Sequence, residues 1–213
     1  MIVIGITGSV GMGKSTAAQM LRDMGIPVHD SDAAVHDLLK ANGRAVPAVG
    51  KKFPEALKTN AAGESYIDRQ ILGRSVFEDH RKKKALEEIL HPMVWEESEA
   101  FMERMKKEKH RIVALDIPLL FETGWEKRVD VTLCVSASPD VQRRRVLERP
   151  NMTSEKFDRI VAGQLPDAEK RKRADYVVDT DKSLDDMREQ LRQIVGKLKA
   201  KKKMIRAFGD YAR

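Results

Sequence analysis

Short apolar runs alternate with longer amphipathic stretches along the chain. Continuous runs of Val, Ile and Leu broken by glycine are typical of buried strands in a parallel sheet. The pattern predicts strands at residues 2–6, 26–29, 112–115, 129–135 and 176–178. A predicted helix at 16–24, ended by Gly25, joins the first two strands as a βαβ crossover. We therefore expect an α/β fold with a parallel sheet covered by helices on both faces.

Two long helical stretches interrupt this alternation. The first covers about eighty residues between the second and third predicted strands, too long for a simple crossover, so we expect a helical insertion. Within it, Pro92 should kink or end a helix near residue 91. The second stretch runs from 141 to 173. A last helix opens at Ser183 with Asp186 in an approximate capping box, and its apolar stripe should face the core: Leu184, Met187, Leu191, Ile194 and Leu198.

A glycine-rich segment, here called the glycine loop (residues 8–15), follows the first predicted strand. It fits the pattern G-x-x-x-x-G-K-[ST], whose glycines let backbone N–H groups approach nucleotide phosphates at a helix N-terminus. In such a loop Lys14 reaches the β- and γ-phosphates and Ser15 binds Mg²⁺. The position between strand and helix favours this over a glycine turn that binds nothing. The candidate nucleotide-binding residues are Gly8, Gly11, Met12, Gly13, Lys14, Ser15 and Thr16.

Carboxylates stand at the ends of two other predicted strands. Asp116 ends an apolar strand, the Walker B arrangement that places an acidic group near Mg²⁺. Asp30 and Asp32 follow the second strand, and their carboxylates lie on one side of the chain if the segment stays extended. Because ligands of open parallel sheets bind at the carboxyl ends of the strands, we expect Asp32 and Asp116 near the glycine loop. Either aspartate could instead only cap a helix or a turn.

Arginines crowd the predicted helix that opens near residue 138. Arg145 and Arg149 are four residues apart and should share a helix face. Planar bidentate donors suit a transferring phosphoryl group, and a mobile lid is a standard way to supply them. The cluster could instead be a solvated basic face, and this alternative applies first to Arg143 and Arg144.

Composition and charge narrow the function classes. Hydrophobic residues make up 41% and charged residues 34% of the 213 residues, which is a globular composition. No apolar stretch is long enough for a signal peptide or a membrane span, and the single cysteine, Cys134, lies in an apolar run as a buried inert thiol. We therefore expect a cytoplasmic protein.

The net charge of +7 suits polyanionic partners. The lysine-rich stretch 197–203 has no interleaved aromatic residues, so we expect a solvated helix end rather than a nucleic-acid or membrane contact.

These residues together resemble the dephospho-CoA kinase family over nearly the whole chain. The glycine loop is shared by many nucleotide-binding families, whereas three further motifs in this order are more specific: Asp30-x-Asp32, His91-Pro92 and Pro118-Leu-Leu-Phe-Glu122. Other matches are Ile67-Asp68-Arg69, Leu72-Gly73, Val76-Phe77, and Gln164 with Lys170 and Ala174-Asp175.

The resemblance implies a reaction and a set of residues for it. It implies transfer of the γ-phosphoryl group of ATP to the ribose 3′-hydroxyl of dephospho-coenzyme A, the last step of coenzyme A synthesis, with Mg²⁺ at Ser15 and Asp116. It implies Asp32 as the base, Lys14 and Arg145 as catalytic cations, and Arg149 as an ATP contact. The implied substrate-binding residues are Thr7, Asp32, Arg69, His91, Pro92, Leu119, Phe121 and Glu122.

The resemblance also implies three parts within one P-loop kinase domain. They are a core of about 1–32, 111–140 and 174–213, a helical substrate-binding insertion of about 33–110, and a lid segment of about 141–173.

Two residues depart from the family pattern. Pro54 stands where a glycine usually follows Phe53, and Thr180 stands where an asparagine commonly follows Asp179, at the edge where the family contacts adenine.

Other function classes fit part of the pattern. A nucleoside or nucleotide monophosphate kinase has the same loop and lid. A pantetheine-bearing acceptor, however, needs an apolar channel, which four residues could supply: Phe77, Met93, Trp95 and Phe121. A regulatory GTP switch needs an Asn-Lys-x-Asp motif, and the sequence has none. A nucleic-acid-binding ATPase has mainly the lysine-rich end in its support.

Overall fold

The computed structural model describes residues 1–77 and 79–209, without the side chains of Phe77 and 201–209. The chain divides into two compact units, residues 1–29 with the chain from Arg104 onward, and residues 30–103. The elements are β1 (Ile2–Thr7), α1 (Lys14–Asp23), β2 (Val28–Asp30), α2 (Ser31–Leu39), α3 (Val46–Lys52), β3 (Leu57–Thr59), β4 (Ser65–Ile67), α4 (Arg69–Phe77), α5 (His80–Lys107), β5 (Ile112–Asp116), β6 (Val131–Ser136), α6 (Pro139–Leu147), α7 (Ser154–Ala162), α8 (Asp167–Arg173), β7 (Tyr176–Asp179) and α9 (Leu184–Gly209).

A five-stranded sheet with β1 at its centre organises the first unit. The strand order is β2-β5-β1-β6-β7, and the pairs β1–β5, β1–β6 and β6–β7 are parallel. The register sets Ile6 beside Asp116 and Thr7 beside Cys134. The predicted parallel sheet is confirmed, and its order brings the carboxyl ends of β1 and β5 together at the start of the glycine loop.

Alternate residues of β1 bury their side chains among α1 and α9. Ile4 and Ile6 are completely buried, and they belong to one apolar cluster with Leu21 of α1 and Leu191 of α9. The residues of a strand that lie two apart share a face, so this cluster covers one side of the sheet. The predicted stripe of α9 is confirmed from Met187 onward. The prediction is wrong for Leu184, which is 63% exposed because the first turn of the helix lies outside the packed face.

The predicted capping box at the start of α9 is confirmed. The Asp186 N–H donates to Ser183 Oγ at 3.1 Å, and the Ser183 N–H donates to Asp186 Oδ2 at 3.3 Å. The Ser183 hydroxyl also donates to this carboxylate at 2.6 Å and lowers the pKa of Asp186. Each bond satisfies a backbone or side-chain group that the helix itself leaves without a partner.

The second unit contains a β-hairpin that the sequence analysis did not predict. Strands β3 and β4 pair antiparallel, with Leu57 opposite Ile67 and Thr59 opposite Ser65. The side chain of Asn60 accepts N–H bonds within the turn, which Gly63 completes at a φ of +79°. The expectation of helices throughout this stretch is therefore wrong. Strands of three residues are too short to show a period, although Asn and Gly at the turn are typical hairpin signals.

Two prolines of the second unit lie in helical segments. The sequence predicts that Pro92 kinks or ends a helix near residue 91; helix α5 runs through Pro92 to Lys107, so the predicted end is wrong. A proline inside a helix removes one N–H bond, and the long helix tolerates this loss. Pro54 opens a single 3₁₀ turn (Pro54–Ala56), where a fixed φ and a missing N–H cost little. None of the helices among the described residues is both long and apolar enough to cross a membrane.

Ser183→Ala should destabilise the first unit by about 1 kcal/mol, because an N-cap hydroxyl contributes about 0.5–2 kcal/mol to a helix. Urea unfolding of the wild type and the variant measures this difference. Ser183→Thr keeps the hydroxyl and serves as the control, with a smaller loss expected. Equal stability of the Ala variant and the wild type contradicts the capping role.

Candidate active site

The glycine loop is a tight turn that only glycine can form at two positions. Gly11 and Gly13 have φ values of +78° and +87°, a region that side chains disfavour. A Cβ atom on Gly11 would lie 2.4 Å from Val146 Cγ2 and 3.0 Å from the Gln142 carbonyl oxygen, so the loop packs directly against α6. Gly13 caps α1 without a side-chain bond. The first-turn N–H groups of α1 are therefore oriented to bind an anion.

Lys14 of the glycine loop forms an ion pair with Asp116 at the end of β5. The Lys14 Nζ atom donates to Asp116 Oδ1, and Asp116 is only 3% exposed. At the neighbouring strand end, Thr7 Oγ1 donates to the Pro118 carbonyl at 3.0 Å. The structure therefore brings together the Lys14 ammonium of the glycine loop and the Asp116 carboxylate that ends β5.

Two glutamines bind the main chain of Val10 inside the glycine loop. The Val10 N–H donates to Gln164 Oε1 at 3.1 Å, and Gln142 Nε2 donates to the Val10 carbonyl at 2.8 Å. Gln142 lies on α6 and Gln164 lies between α7 and α8, so they come from two parts of the lid segment that α7 separates. The sequence analysis missed Gln142, because one glutamine on an amphipathic helix carries no signal of its own.

Arg145 reaches the glycine loop through Thr180. Its guanidinium donates to Thr180 Oγ1 at 2.9 Å and to the Thr180 carbonyl at 2.6 Å. The Thr180 hydroxyl donates to the Met12 carbonyl at 3.0 Å, and Thr180 is 4% exposed. The residue that departs from the family pattern thus connects the catalytic candidate Arg145 to the loop.

The arginine cluster does not act as one face. Helix α6 ends at Leu147, so Arg149 lies beyond it, and the prediction that Arg145 and Arg149 share a helix face is wrong. Arg143 binds Asp158 at 2.9 Å, donates to Ser154 and lies over a phenylalanine ring of α7, which fastens α6 to α7. Arg144 is exposed.

The segment after β5 makes contacts within the first unit. Glu122 Oε1 lies 2.8 Å from the Nζ atom of the completely buried Lys170 and accepts the Leu165 N–H at 2.9 Å. Phe121 is 5% exposed, and the Arg173 guanidinium lies 4.6 Å from the centre of its ring. Leu119, a further candidate of this segment, is half-buried, and its carbonyl accepts the Thr123 hydroxyl.

In the second unit, Asp30 rather than Asp32 caps the helix that follows β2. Asp30 Oδ1 accepts the N–H groups of Asp32 and Ala33 at 2.9 and 3.0 Å. Helix α2 begins at Ser31, so the expectation of an extended segment with both carboxylates on one side is wrong. Asp32 is exposed in the first helical turn, which leaves the capping function to Asp30.

Other candidates of the second unit lie on its helices. Arg69 is exposed, and its Nη1 atom lies 2.6 Å from Nδ1 of His36, a residue that the sequence analysis did not select. His91 is half-buried, and this burial lowers its pKa, which favours the neutral imidazole. Pro92 is exposed, whereas two of the apolar channel candidates are half-buried: Met93 and Trp95. The Phe77 side chain lies outside the described residues.

Three further predictions concern the thiol, the metal and the basic end. Burial raises the pKa of Cys134 to about 12, which confirms an inert thiol. Among the described residues, no group of three or more His, Cys, Asp or Glu side chains could hold a metal ion. The prediction of a solvated lysine-rich end falls largely on side chains from 201 onward, which lie outside the described residues.

The chain is similar to known proteins over most of its length. The dephospho-CoA kinase family model matches residues 2–186. A curated dephospho-CoA kinase of Rhodopseudomonas palustris is 48% identical over 195 residues, which cover 92% of this chain and 94% of that protein. A solved structure from Thermus thermophilus matches with a TM-score of 0.77 at 38% identity, covering 92% of this chain and 97% of that one. A solved dephospho-CoA kinase from Campylobacter jejuni shows the same fold, with a TM-score of 0.68 at 24% identity, covering 92% of this chain and 96% of that one.

The family model spans the glycine loop, the aspartate that ends β5 and the whole lid segment. Because the family model covers far more than half of the chain and the curated relative is almost half identical to it, the chain belongs to the dephospho-CoA kinase family, a family of ATP-dependent phosphotransferases.

Proposed function

We propose that this chain transfers the γ-phosphoryl group of ATP to the ribose 3′-hydroxyl of dephospho-CoA, which gives coenzyme A and ADP. The observation that carries the proposal is the meeting of Lys14, Asp116 and the Arg145–Thr180 pair around the glycine loop. Membership of the dephospho-CoA kinase family supports the choice of acceptor. Phosphoryl transfer needs positioning and charge stabilisation more than covalent chemistry, and these residues supply both.

The glycine loop is the phosphate site in this proposal. The residues that we assign to the phosphates lie between Gly8 and Thr16, in the glycine loop and the first turn of α1, and their backbone N–H groups bind the phosphates. The ion pair holds Lys14 beside Asp116, and the phosphates of ATP offer the ammonium a second anionic partner. Arg145 and the exposed Arg149 are the lid-segment cations that we assign to ATP.

The residues at this site fit a magnesium ion. Mg²⁺ takes oxygen ligands and is usually held by one or two protein groups together with substrate phosphates. The Ser15 hydroxyl and the Asp116 carboxylate are oxygen donors of this kind, so we assign the ion to them. When bound, Mg²⁺ neutralises charge on the phosphates. Asp116 Oδ1 accepts a hydrogen bond from the Lys14 ammonium, so this bond holds the proposed metal-binding carboxylate in place.

Asp32 is the residue that we assign as the base toward the 3′-hydroxyl. Asp30 caps α2, so the exposed carboxylate of Asp32 is not required for the cap. A ribose hydroxyl is a poor nucleophile at neutral pH, and a carboxylate within hydrogen-bond reach accepts its proton as the bond to phosphorus forms. This division of tasks explains why the two aspartates stand two residues apart.

The remaining acceptor contacts divide into binding and positioning roles. We assign Arg69, oriented by His36, to the diphosphate of the acceptor, and we assign the other direct contacts to Thr7, His91, Pro92 and Leu119. Glu122 forms an ion pair with Lys170, and the Arg173 guanidinium lies over the ring of Phe121, so we assign Glu122 and Phe121 a supporting role for the acceptor contacts. The sequence also predicts a division into core, insertion and lid segment, and it predicts a cytoplasmic location. Both stay predictions.

The proposal is tested by a coupled ADP-release assay with ATP and Mg²⁺. Dephospho-CoA is compared with AMP, adenosine and pantothenate as acceptors. We expect turnover with dephospho-CoA. Activity confined to one of the other three acceptors would contradict the proposal and favour a nucleoside or nucleotide monophosphate kinase, or another small-molecule kinase.

Lys14→Ala should abolish turnover, because its charge stabilises the phosphates in the transition state, and losses of 10²-fold or more are typical of such groups. The variant also leaves the buried Asp116 without its lysine, which destabilises a protein strongly. Lys14→Arg keeps a positive charge for Asp116 and is the folding control. It should melt near the wild type and still lack activity, because a planar guanidinium does not replace a compact ammonium. Retention of more than about a tenth of wild-type activity in Lys14→Ala contradicts the assignment.

Arg145→Ala should lower kcat more than ATP affinity, because we expect Arg145 to contact the phosphates chiefly when the lid segment closes. Arg144→Ala removes the neighbouring exposed arginine and is the matched control, with activity near that of the wild type. Steady-state kinetics and calorimetric titration of ATP measure the two effects. Equal behaviour of both variants means that Arg145 does not act on the phosphates.

Asp32→Asn should lower kcat by roughly 10²–10⁴-fold, the usual contribution of general-base catalysis. The variant keeps the shape of the side chain and removes the proton acceptor, so ATP and dephospho-CoA should still bind in calorimetric titration. The melting temperature should change little, because Asp30 and not Asp32 provides the cap. Near-normal kcat removes Asp32 from the mechanism, and lost binding together with a lowered melting temperature indicates a structural role.

A further inference from the structure

The main-chain N–H and carbonyl of Val10 both form hydrogen bonds with side chains of the lid segment. Gln142 donates to its carbonyl at 2.8 Å, and Gln164 accepts its N–H at 3.1 Å. These two bonds occupy both polar groups of one residue in the middle of the glycine loop. Gln142 is 6% exposed, so its bond is shielded from water and its loss is costly.

The two glutamines belong to different parts of the lid segment, separated by α7. Gln142 stands on α6, three residues before Arg145, whereas Gln164 directly precedes the residue whose N–H binds Glu122. Any movement of the lid segment relative to the glycine loop must therefore break or carry both bonds. The close approach of Gly11 to the Gln142 carbonyl and Val146 adds a steric contact at the same place.

We propose that Gln142 and Gln164 are positioning residues that fix the lid segment to the glycine loop through Val10, and thereby set the distance between Arg145 and Lys14 for phosphoryl transfer. The Val10 N–H is committed to Gln164, so the loop holds the phosphates with its other N–H groups. This inference rests on the proposed function, because it assumes that Arg145 and Lys14 act on the same phosphates.

The chemistry of the two bonds is opposite, and this gives a sharp test. Gln164→Glu keeps an oxygen that accepts the Val10 N–H, whereas Gln142→Glu loses the N–H donor and sets a carboxylate against a carbonyl. Both variants add one negative charge beside the main chain of Val10, so repulsion of the ATP phosphates alone lowers the activity of both to a similar degree. A difference between them therefore reports hydrogen bonding.

We expect kcat of Gln142→Glu to be at least about tenfold below that of Gln164→Glu, in line with one buried group left without a partner. The neutral variants Gln142→Met and Gln164→Met lose one bond each and should both lower kcat by about tenfold, with the Kd of ATP within about threefold of wild type. Gln193→Glu, an exposed change on α9, is the control and should keep wild-type kinetics. If a Met variant does not fold, the two Glu variants carry the test, because Gln164→Glu retains its bond.

A double variant tests whether the bonds act through Arg145. If they do, Gln142→Met adds no further loss of kcat in an Arg145→Ala background. Equal kcat of the two Glu variants, or multiplied losses in the double variant, overturns the inference. Wild-type turnover with dephospho-CoA in the same assays separates these outcomes from a failure of the proposed function, since that failure shows as no turnover in the unmodified protein.

Discussion

A phosphate-binding loop must direct some of its backbone N–H groups toward the phosphates. Its remaining N–H and carbonyl groups must form hydrogen bonds with other parts of the protein. An unpaired buried carbonyl or amide costs about 1–3 kcal/mol, so a loop of eight residues cannot hold its shape by glycine content alone. Here the inner bonds come from distant parts of the chain. Gln142 and Gln164 bind Val10, and Thr180 binds the Met12 carbonyl. The architecture of the first unit serves to bring these three side chains to the loop.

The charge on the loop follows the same logic. Asp116 ends β5, and Lys14 lies at the end of the glycine loop that follows β1. The two residues meet because β1 and β5 pair in parallel. A buried ion pair gains little net stability, since desolvation offsets the attraction, but removal of one partner is strongly destabilising. The pair therefore holds the two groups at the place where the proposed reaction needs a cation for phosphate and a carboxylate for metal.

The sequence predicted the parts of the fold that depend on neighbouring residues and missed those that depend on distant contacts. The five strands of the parallel sheet, the glycine loop and the capping box at Ser183 are local patterns, and the structure confirms them. The hairpin of β3 and β4 was missed because three-residue strands show no period. The sequence analysis offered a helix cap only as an alternative for Asp32, and the structure gives the cap to Asp30, because the exact first residue of a helix is not visible in a polar run. The bonds of Gln142 and Thr180 join residues more than a hundred positions apart, and no spacing rule reaches that far.

Thr180 illustrates how a departure from a family pattern can preserve the chemistry of a position. The resemblance predicts an asparagine there, whose side chain carries both a donor and an acceptor. A threonine hydroxyl also donates once and accepts, and Thr180 uses both capacities, one toward the Met12 carbonyl and one toward Arg145. A side chain with only one of these capacities would lose either the bond to the Met12 carbonyl or one of the two bonds to the Arg145 guanidinium, whose bond to the Thr180 carbonyl does not depend on the side chain. The geometry of the site therefore selects for paired donor and acceptor capacity at this position rather than for one residue type.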